Sequence, residues 1–265
     1  MYKAVFLDLD DTLLDDKKEI SNENIDAIKY VKEKGGFVFI ASGRSIEVTK
    51  KYHNMIEASR YIIYSNGAGI FDCDANEKLF SADIEKQICL DLYRFAIENN
   101  YGVRIDTPYG RYINDKKYAI KHDIILEPNE GEKIIFDNDV LQISLLTEIE
   151  DKRSKSIDFV KNSISTNVKI ENIFKTGIRN EFFAINIVNK NVSKGNAISG
   201  LCKYLKINVE DVIAIGDGAN DISMLNAVGL GIAMGNGKPE LKAIAKEITT
   251  TNLENGVAKV LKEKF

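Results

Sequence analysis

Short apolar runs alternate with helix-like segments at both ends of this chain, and the alternation breaks down in the middle. No other property limits the fold so severely. Ala4–Leu7, Phe37–Ala41 and Tyr61–Tyr64 read as strands. Between the first two, Ser21 offers a helix N-cap ahead of Ile25, Ile28 and Val31 at helical spacing, and Gly35-Gly36 stops the helix. A second helix is expected over 45–53. Strand and helix in strict succession imply a parallel sheet with right-handed crossovers. The C-terminal stretch has the same grammar: a helix over Lys194–Leu205, a strand over 212–215, a helix over 221–227, a strand over Leu230–Ala233 and a helix from Pro239. Proline suits the first position of a helix.

The middle reads differently. Ile84, Ile88, Leu92, Phe95 and Ala96 mark one amphipathic helix, and Ile157, Val160 and Ile164 another. Strand candidates lie at 103–105, 141–147, 168–173 and 182–187, with turn signals at Pro108, Gly110, Pro128-Asn129 and Gly177. Two helices with several hairpin-prone strands describe a small α+β unit. The expected organisation is an α/β core formed by 1–81 and 188–265, with an α+β domain, 82–187, inserted between them.

Composition narrows the function. Thirty-six basic residues against forty acidic ones leave a net charge of −4, a poor electrostatic footprint for nucleic acid. No apolar run approaches the roughly 18 residues that a membrane helix needs. The N-terminus carries Asp8, Asp10 and Asp11 where a signal peptide would be apolar. Three cysteines without a C-x-x-C pair read as reduced thiols and a cytoplasmic location. Neither nucleic acid nor a membrane is therefore expected as a partner, and the chain is expected to be a monomer or weak homodimer.

Four polar clusters follow strands or open helices, where open parallel sheets bind their ligands. Asp8-Leu9-Asp10-Asp11-Thr12-Leu13 follows the first strand; residues two apart on an extended chain face the same way, so Asp8 and Asp10 can address one point. Taken alone, an aspartate after a strand is often only a turn former. Gly216-Asp217-Gly218-Ala219-Asn220-Asp221 is no dinucleotide fingerprint, because Asp221 stands at the third glycine position and carboxylates repel a pyrophosphate. Several carboxylates aimed at one spot call for a cation or shared protons, and such oxygen donors suit magnesium. Ser42-Gly43-Arg44 is either a phosphate grip or a plain N-cap. Lys194 opposes the dipole of the helix it opens, so it is a less ordinary surface lysine than most.

Together these clusters resemble the haloacid dehalogenase (HAD) superfamily of aspartate-based phosphatases, and more narrowly its Cof-type class IIB branch. The resemblance rests on Asp8-Leu9-Asp10-Asp11-Thr12-Leu13-Leu14, Ala41-Ser42-Gly43-Arg44, Ser65-Asn66-Gly67-Ala68, Ser193-Lys194-Gly195, the run from Gly216 through Leu225, and the ending Asn252-Leu253-Glu254-Asn255-Gly256-Val257. It spans the whole core, whereas the insert matches only in architecture. Asp11 departs from the glycine common at that position, and Ser42 from threonine.

The resemblance implies a Rossmannoid core with an inserted α+β cap, and Mg2+-dependent hydrolysis of phosphate monoesters of small metabolites, sugar phosphates or phosphorylated cofactors. Asp8 is the implied nucleophile, forming an aspartyl-phosphate, and Asp10 the general acid and base. Mg2+ is assigned to the Asp8 carboxylate, the Asp10 carbonyl and Asp217, with Asp221 supporting it directly or through water. Ser42, Lys194, Asn220 and the Gly43 N–H are assigned to the phosphoryl oxygens. Arg44 either touches substrate or pairs with a core carboxylate. Lys175-Thr176-Gly177 and Tyr109-Gly110-Arg111 are secondary candidates for substrate contact, while His53 and His122 lie in no motif. A phosphomutase with the same nucleophile is the enzymatic alternative. A phospho-acceptor signalling domain is the non-enzymatic one, although such domains are about half this length and lack the paired acid and the insert.

Overall fold

The structure, a computed structural model, describes residues 2–120, 122–127, 130–163, 166–176 and 181–265. Pro128-Asn129, Ile164 and Gly177, read above as turn or helix signals, lie outside the described residues. Among the described residues, no helix is long and apolar enough to cross a membrane.

The chain opens with β1 (Ala4–Leu7), α1 (Asn22–Glu33), β2 (Phe37–Ala41), α2 (Ile46–Met55) and β3 (Tyr61–Tyr64). Each strand is buried on both faces, which is why each reads as a continuous apolar run rather than an alternating one. Ser21 caps α1 by accepting from the Asn24 N–H at 3.2 Å. Two further strands, β4 (Gly69–Asp72) and β5 (Glu77–Ser81), extend the sheet, β4 lying antiparallel to β3. The sequence reading did not anticipate this pair, whose β5 is largely exposed and carries too few apolar residues to show a period.

The insert follows: α3 (Lys86–Glu98), β6 (Gly102–Thr107), β7 (Gly110–Ile113), β8 (Asp123–Ile125), α4 (Glu130–Asp137), β9 (Gln142–Thr147), α5 (Glu150–Ser163), β10 (Val168–Thr176) and β11 (Phe182–Asn189). Its six strands form one sheet in the order β10-β11-β9-β6-β7-β8. Val103, Ile105, Ile143, Leu145, Ile185 and Ile187 pack one face of it against Ile88, Leu92, Ala96, Ile135 and Val160 of the helices. The short helix α4 was not expected from the sequence. In the same unit the Arg104 and Arg111 guanidiniums each lie 3.1 Å from the Asp123 carboxylate.

The chain then returns with α6 (Lys194–Leu205), β12 (Val212–Gly216), α7 (Ile222–Asn226), β13 (Leu230–Ala233), α8 (Pro239–Ile244), β14 (Glu247–Ile248) and α9 (Gly256–Lys264). The core sheet has the order β14-β13-β12-β1-β2-β3-β4-β5. β1 runs parallel to both β12 and β2. The strand order reverses at β1, so its carboxyl end is the switch point where such sheets bind ligands. Val5 and Leu7 point into one apolar cluster with Ile28, Val31 and Leu261, while Ala4 and Phe6 point into another with Ile198, Leu201 and Leu225. One compact unit comprises 1–80 with 192–265, and the second comprises Ser81–Asn191. The expected end of the insert at 187 falls short because β11 runs on to Asn189 in register with β10. The two ends of the insert are tied: Asn189 Nδ2 donates to the Asp83 carbonyl at 2.9 Å.

Candidate active site

β1 delivers Asp8 to the switch point, where the Asp8 N–H donates to the Ile215 carbonyl at 3.1 Å and the residue is 5% exposed. One tight turn, Leu9–Leu13, follows, closed by the Leu14 N–H on the Leu9 carbonyl at 2.9 Å. Asp11 sits in it at φ 56°, the left-handed region that glycine favours and that aspartate tolerates better than most residues.

β12 delivers Asp217 beside β1, and Asp221 closes the loop behind it. Both oxygens of Asp221 are engaged: Oδ2 accepts from the Asp217 and Gly218 N–H groups at 3.0 Å each, and Oδ1 accepts from Lys194 Nζ at 2.6 Å. Gly216 makes room for this carboxylate, since a Cβ at that position would stand 2.5 Å from the Asp221 Cγ. Asp217 Oδ1 accepts from the Thr12 hydroxyl at 3.1 Å, which ties the β1 loop to the β12 loop. Thr12 lies within the first motif, but nothing in its position along the chain signalled this bond.

Lys194 opens α6 and is 1% exposed. Its ammonium bridges Asp8 Oδ1 at 2.5 Å and Asp221 Oδ1 at 2.6 Å. A buried charge needs such partners. One oxygen each of Asp8, Asp217 and Asp221 lie within 4.8 Å of one another, a grouping able to hold a metal ion. Burial pushes the Asp8 carboxyl up, to about 7, against the pull of Lys194 and with added repulsion from Asp221 and Asp217. Burial and Asp221 likewise raise Asp217 to about 6. Burial opposes the Lys194 charge, yet Asp8 and Asp221 hold the ammonium above its ordinary range. Three carboxylates facing one ammonium leave an excess of negative charge and all-oxygen donors, which fit a hard divalent cation.

Asp10 does not join this group by its carboxylate. Its oxygens receive Arg44 Nε at 2.7 Å and Arg44 Nη2 at 2.6 Å, a two-point clamp, and Lys18 Nζ stands 2.9 Å away. Of the two readings of Arg44, the structure shows the pairing with a carboxylate. Arg44 also donates to the Tyr52 hydroxyl at 3.3 Å, and that hydroxyl donates to the Lys18 carbonyl at 3.2 Å, closing a ring of contacts. Burial favours the neutral acid, but Arg44 and Lys18 outweigh it and hold Asp10 below the usual carboxylate range. Lys18 and Tyr52 were not singled out from sequence: Lys18 follows the motif by several residues, and Tyr52 is one apolar-facing position of α2.

Ser42 directly follows β2 and is 1% exposed, its Oγ accepting from the Arg44 N–H at 3.1 Å. Asn220 lies at the mouth of the β12 loop and donates to Asn66 Oδ1 at 3.0 Å. Ser42, Gly43, Lys194 and Asn220 thus all stand on loops at the carboxyl ends of the core strands or at the start of α6. Of the secondary candidates, Arg111 pairs with Asp123 and Lys175 lies over the Phe183 ring, both in the insert. His53 is packed in α2 with its Nε2 near the Ser59 carbonyl.

Comparisons with known proteins agree on the class. A family model described as haloacid dehalogenase-like hydrolase matches residues 5–261. The chain is 30% identical to YxeH of Bacillus subtilis (strain 168), over 99% of this chain and 98% of that protein. It is 29% identical to the 5-amino-6-(5-phospho-D-ribitylamino)uracil phosphatase YcsE of the same organism, over 98% and 94%. In fold it is similar to the HAD subclass IIB sugar phosphatase BT4131, with a TM-score of 0.74 at 22% identity, over 98% of each chain.

Proposed function

The chain belongs to the haloacid dehalogenase-like hydrolases and is a phosphoric monoester hydrolase; from that premise we propose that it falls in their Cof-type, class IIB branch, that Asp8 is its nucleophile and that its substrates are monoesters of small metabolites. The observation that carries this is the placement of Asp8 at the switch point of the sheet, its Oδ1 held by a buried ammonium and its carboxylate grouped with Asp217 and Asp221.

The donor set fits Mg2+, which Asp8, the Asp10 carbonyl and Asp217 would hold. Asp221, with both oxygens already engaged, supports the site from behind. Mg2+ when bound neutralises charge between the nucleophile and the phosphoryl group. Everything else falls to the chain. An Asp8 oxygen attacks phosphorus in line, the P–O bond to the alcohol breaks, and an aspartyl-phosphate remains. Asp10 gives its proton to the departing alkoxide and recovers one from the water that then attacks phosphorus. Arg44 and Lys18 keep Asp10 ionised in this structure, which suits the second half of the cycle; the first half needs the protonated acid, lifted away from both cations. Lys194, Ser42, the Gly43 N–H and Asn220 receive the equatorial oxygens, where the transition state carries its charge.

Sugar phosphates or a phosphorylated cofactor are the proposed substrates; of the similar proteins, one is named a sugar phosphatase and another a 5-amino-6-(5-phospho-D-ribitylamino)uracil phosphatase. To the inserted unit, 82–187 in the sequence reading, we assign the choice among them. The net charge of −4 offers no steering toward nucleic acid. Cys73, Cys89 and Cys202 are free, which agrees with a cytoplasmic site of action. The test is turnover of a broad panel of phosphorylated metabolites by the wild type and by Asp8→Asn. Hydrolysis of several small monoesters, abolished in the variant, supports the reading. Substantial residual turnover by Asp8→Asn would mean that water attacks directly.

A further inference from the structure

The turn after β3 is the one loop of the site to which the proposed chemistry gives no task. Ser65, Asn66 and Gly67 have φ of 48°, 55° and 92°, three successive residues in the left-handed region. Only glycine adopts it freely, so two non-glycine residues there persist because the surroundings dictate it. Those surroundings are the proposed phosphate-binding loops. The Ser65 N–H donates to the Arg44 carbonyl at 2.9 Å and the Asn66 N–H to the Ser42 carbonyl at 3.0 Å, which locks the turn to the loop after β2. Gly67 packs against the start of α6 so closely that a Cβ would stand 2.3 Å from the Ser193 carbonyl oxygen and 2.9 Å from the Lys194 nitrogen. The Asn66 carboxamide itself lies against Gly43, where a Cβ would meet Oδ1 at 2.8 Å, and Oδ1 accepts from Asn220 Nδ2 at 3.0 Å. One side chain thus touches two of the groups assigned to the phosphoryl oxygens and sits on a backbone wedged against a third.

We infer that Asn66 is a positioning residue for phosphate binding: its Oδ1 anchors the otherwise exposed Asn220 carboxamide beside Gly43, so that the loops after β2 and β12 present their donors as one cradle. Asn220 lies on an exposed turn, where its Nδ2 donates to Asn66 Oδ1 at 3.0 Å. Without the bond to Asn66 it must be ordered at the moment of binding, and that ordering weakens affinity. Asparagine serves here because it combines tolerance of positive φ with a carbonyl acceptor. The inference rests on the phosphatase reading and adds to it a residue that works through another.

The test uses full-length protein with Mg2+ and inorganic phosphate as the probe, phosphate binding being measured by titration calorimetry and KM on any hydrolysed ester. Asn66→Gly removes the acceptor and keeps the backbone unstrained. It should weaken phosphate binding and raise KM together by about fivefold, the worth of one ordinary hydrogen bond. A purely structural role would instead lower kcat, through a smaller active fraction, and leave both constants unchanged. In an Asn220→Ala background the same substitution should change nothing further. Asn66→Asp keeps the acceptor and the left-handed backbone while setting a carboxylate beside Gly43; phosphate binding should fall further than in Asn66→Gly, with the thermal midpoint unmoved. Wild-type phosphate affinity in Asn66→Gly, or losses that multiply in the double variant, overturn the inference. A wild type that binds phosphate but hydrolyses no ester would overturn the function and leave the Asn66 comparison to be judged on binding alone.

Discussion

Lys194→Ala tests the electrostatic account of the site most directly. The Lys194 side chain is fully buried, and the two carboxylate side chains it bridges are 8% and 0% exposed, so neither Asp8 nor Asp221 can turn to water for compensation. Removing one partner of such a buried group costs about 3–5 kcal/mol, because the charges left behind are unpaired. The cost should depend on pH. Asp8 already titrates at about 7 in the folded protein, against an ordinary 3.8, and loss of the lysine raises it further. A carboxyl raised on folding contributes fully below the unfolded value and loses that contribution as pH rises through the folded one. The variant should therefore lose less at pH 5, where Asp8 is protonated and only Asp221 misses the ammonium, than at pH 8, where Asp8 begins to ionise without it. Urea unfolding in excess chelator, followed by far-UV circular dichroism since the chain has no tryptophan, measures this. Asp221→Asn added to Lys194→Ala removes one orphaned charge and should recover about half the loss. A pH-independent loss under about 1 kcal/mol, or a double variant no more stable than the single, would refute the argument. In parallel, kcat/KM should drop about 100-fold through the lost charge-assisted contact to the phosphoryl group.

Three further outcomes are expected. Activity should vanish in excess chelator and return with Mg2+, while Ca2+, with its larger and looser shell, should inhibit; colorimetric phosphate release decides it. Arg44→Gln frees Asp10 from the cation that most depresses its carboxyl, so the limb of the pH–rate profile governed by the protonated acid should move to higher pH on an alkyl phosphate. In the insert, burial holds Asp106 at about 6, against the pull of Arg104 and Arg111, above an ordinary 3.8. Its contribution is thus full below pH 4 and lost as pH rises through 6, and Asp106→Asn should gain about 2 kcal/mol at pH 7.5, read by thermal unfolding at both pH values.

The core was legible because its strands are buried on both faces and punctuated by polar clusters. Ala4–Leu7, Phe37–Ala41 and Tyr61–Tyr64 could be bounded to the residue. The β4–β5 pair was not, because exposed Glu77, Lys78 and Phe80 leave β5 without an apolar face. In the insert, α5 shows only Ser156 and Val160 fully turned inward among its described residues, which weakens its period. In the candidate site, motif strings marked Asp8, Asp217, Lys194 and Asn220 but could not tell partners apart. Asp10 faces Arg44 and Lys18 rather than the other carboxylates, on a backbone whose ψ of 130° departs from the helical turn. Lys18, Tyr52 and Asn66 are brought in by turns and by helix packing, contacts that no linear spacing encodes.

The tie between Asn189 and Asp83 has a kinetic consequence. Pairing β1 with β12 must close a loop of about two hundred residues, and Asp83 and Asn189 stand 106 positions apart within it. A folded insert, its ends pinned by that bond, shortens the loop to about half. Because closure entropy grows only with the logarithm of length, the saving is about 0.6 kcal/mol, about threefold in rate. The core therefore has little to gain from waiting for its insert. What its assembly requires of the intervening chain is that the two exits stay close together, whatever is folded beyond them. Inserts of other sizes and architectures could be exchanged across the same short gap with little change in how fast the core sheet assembles.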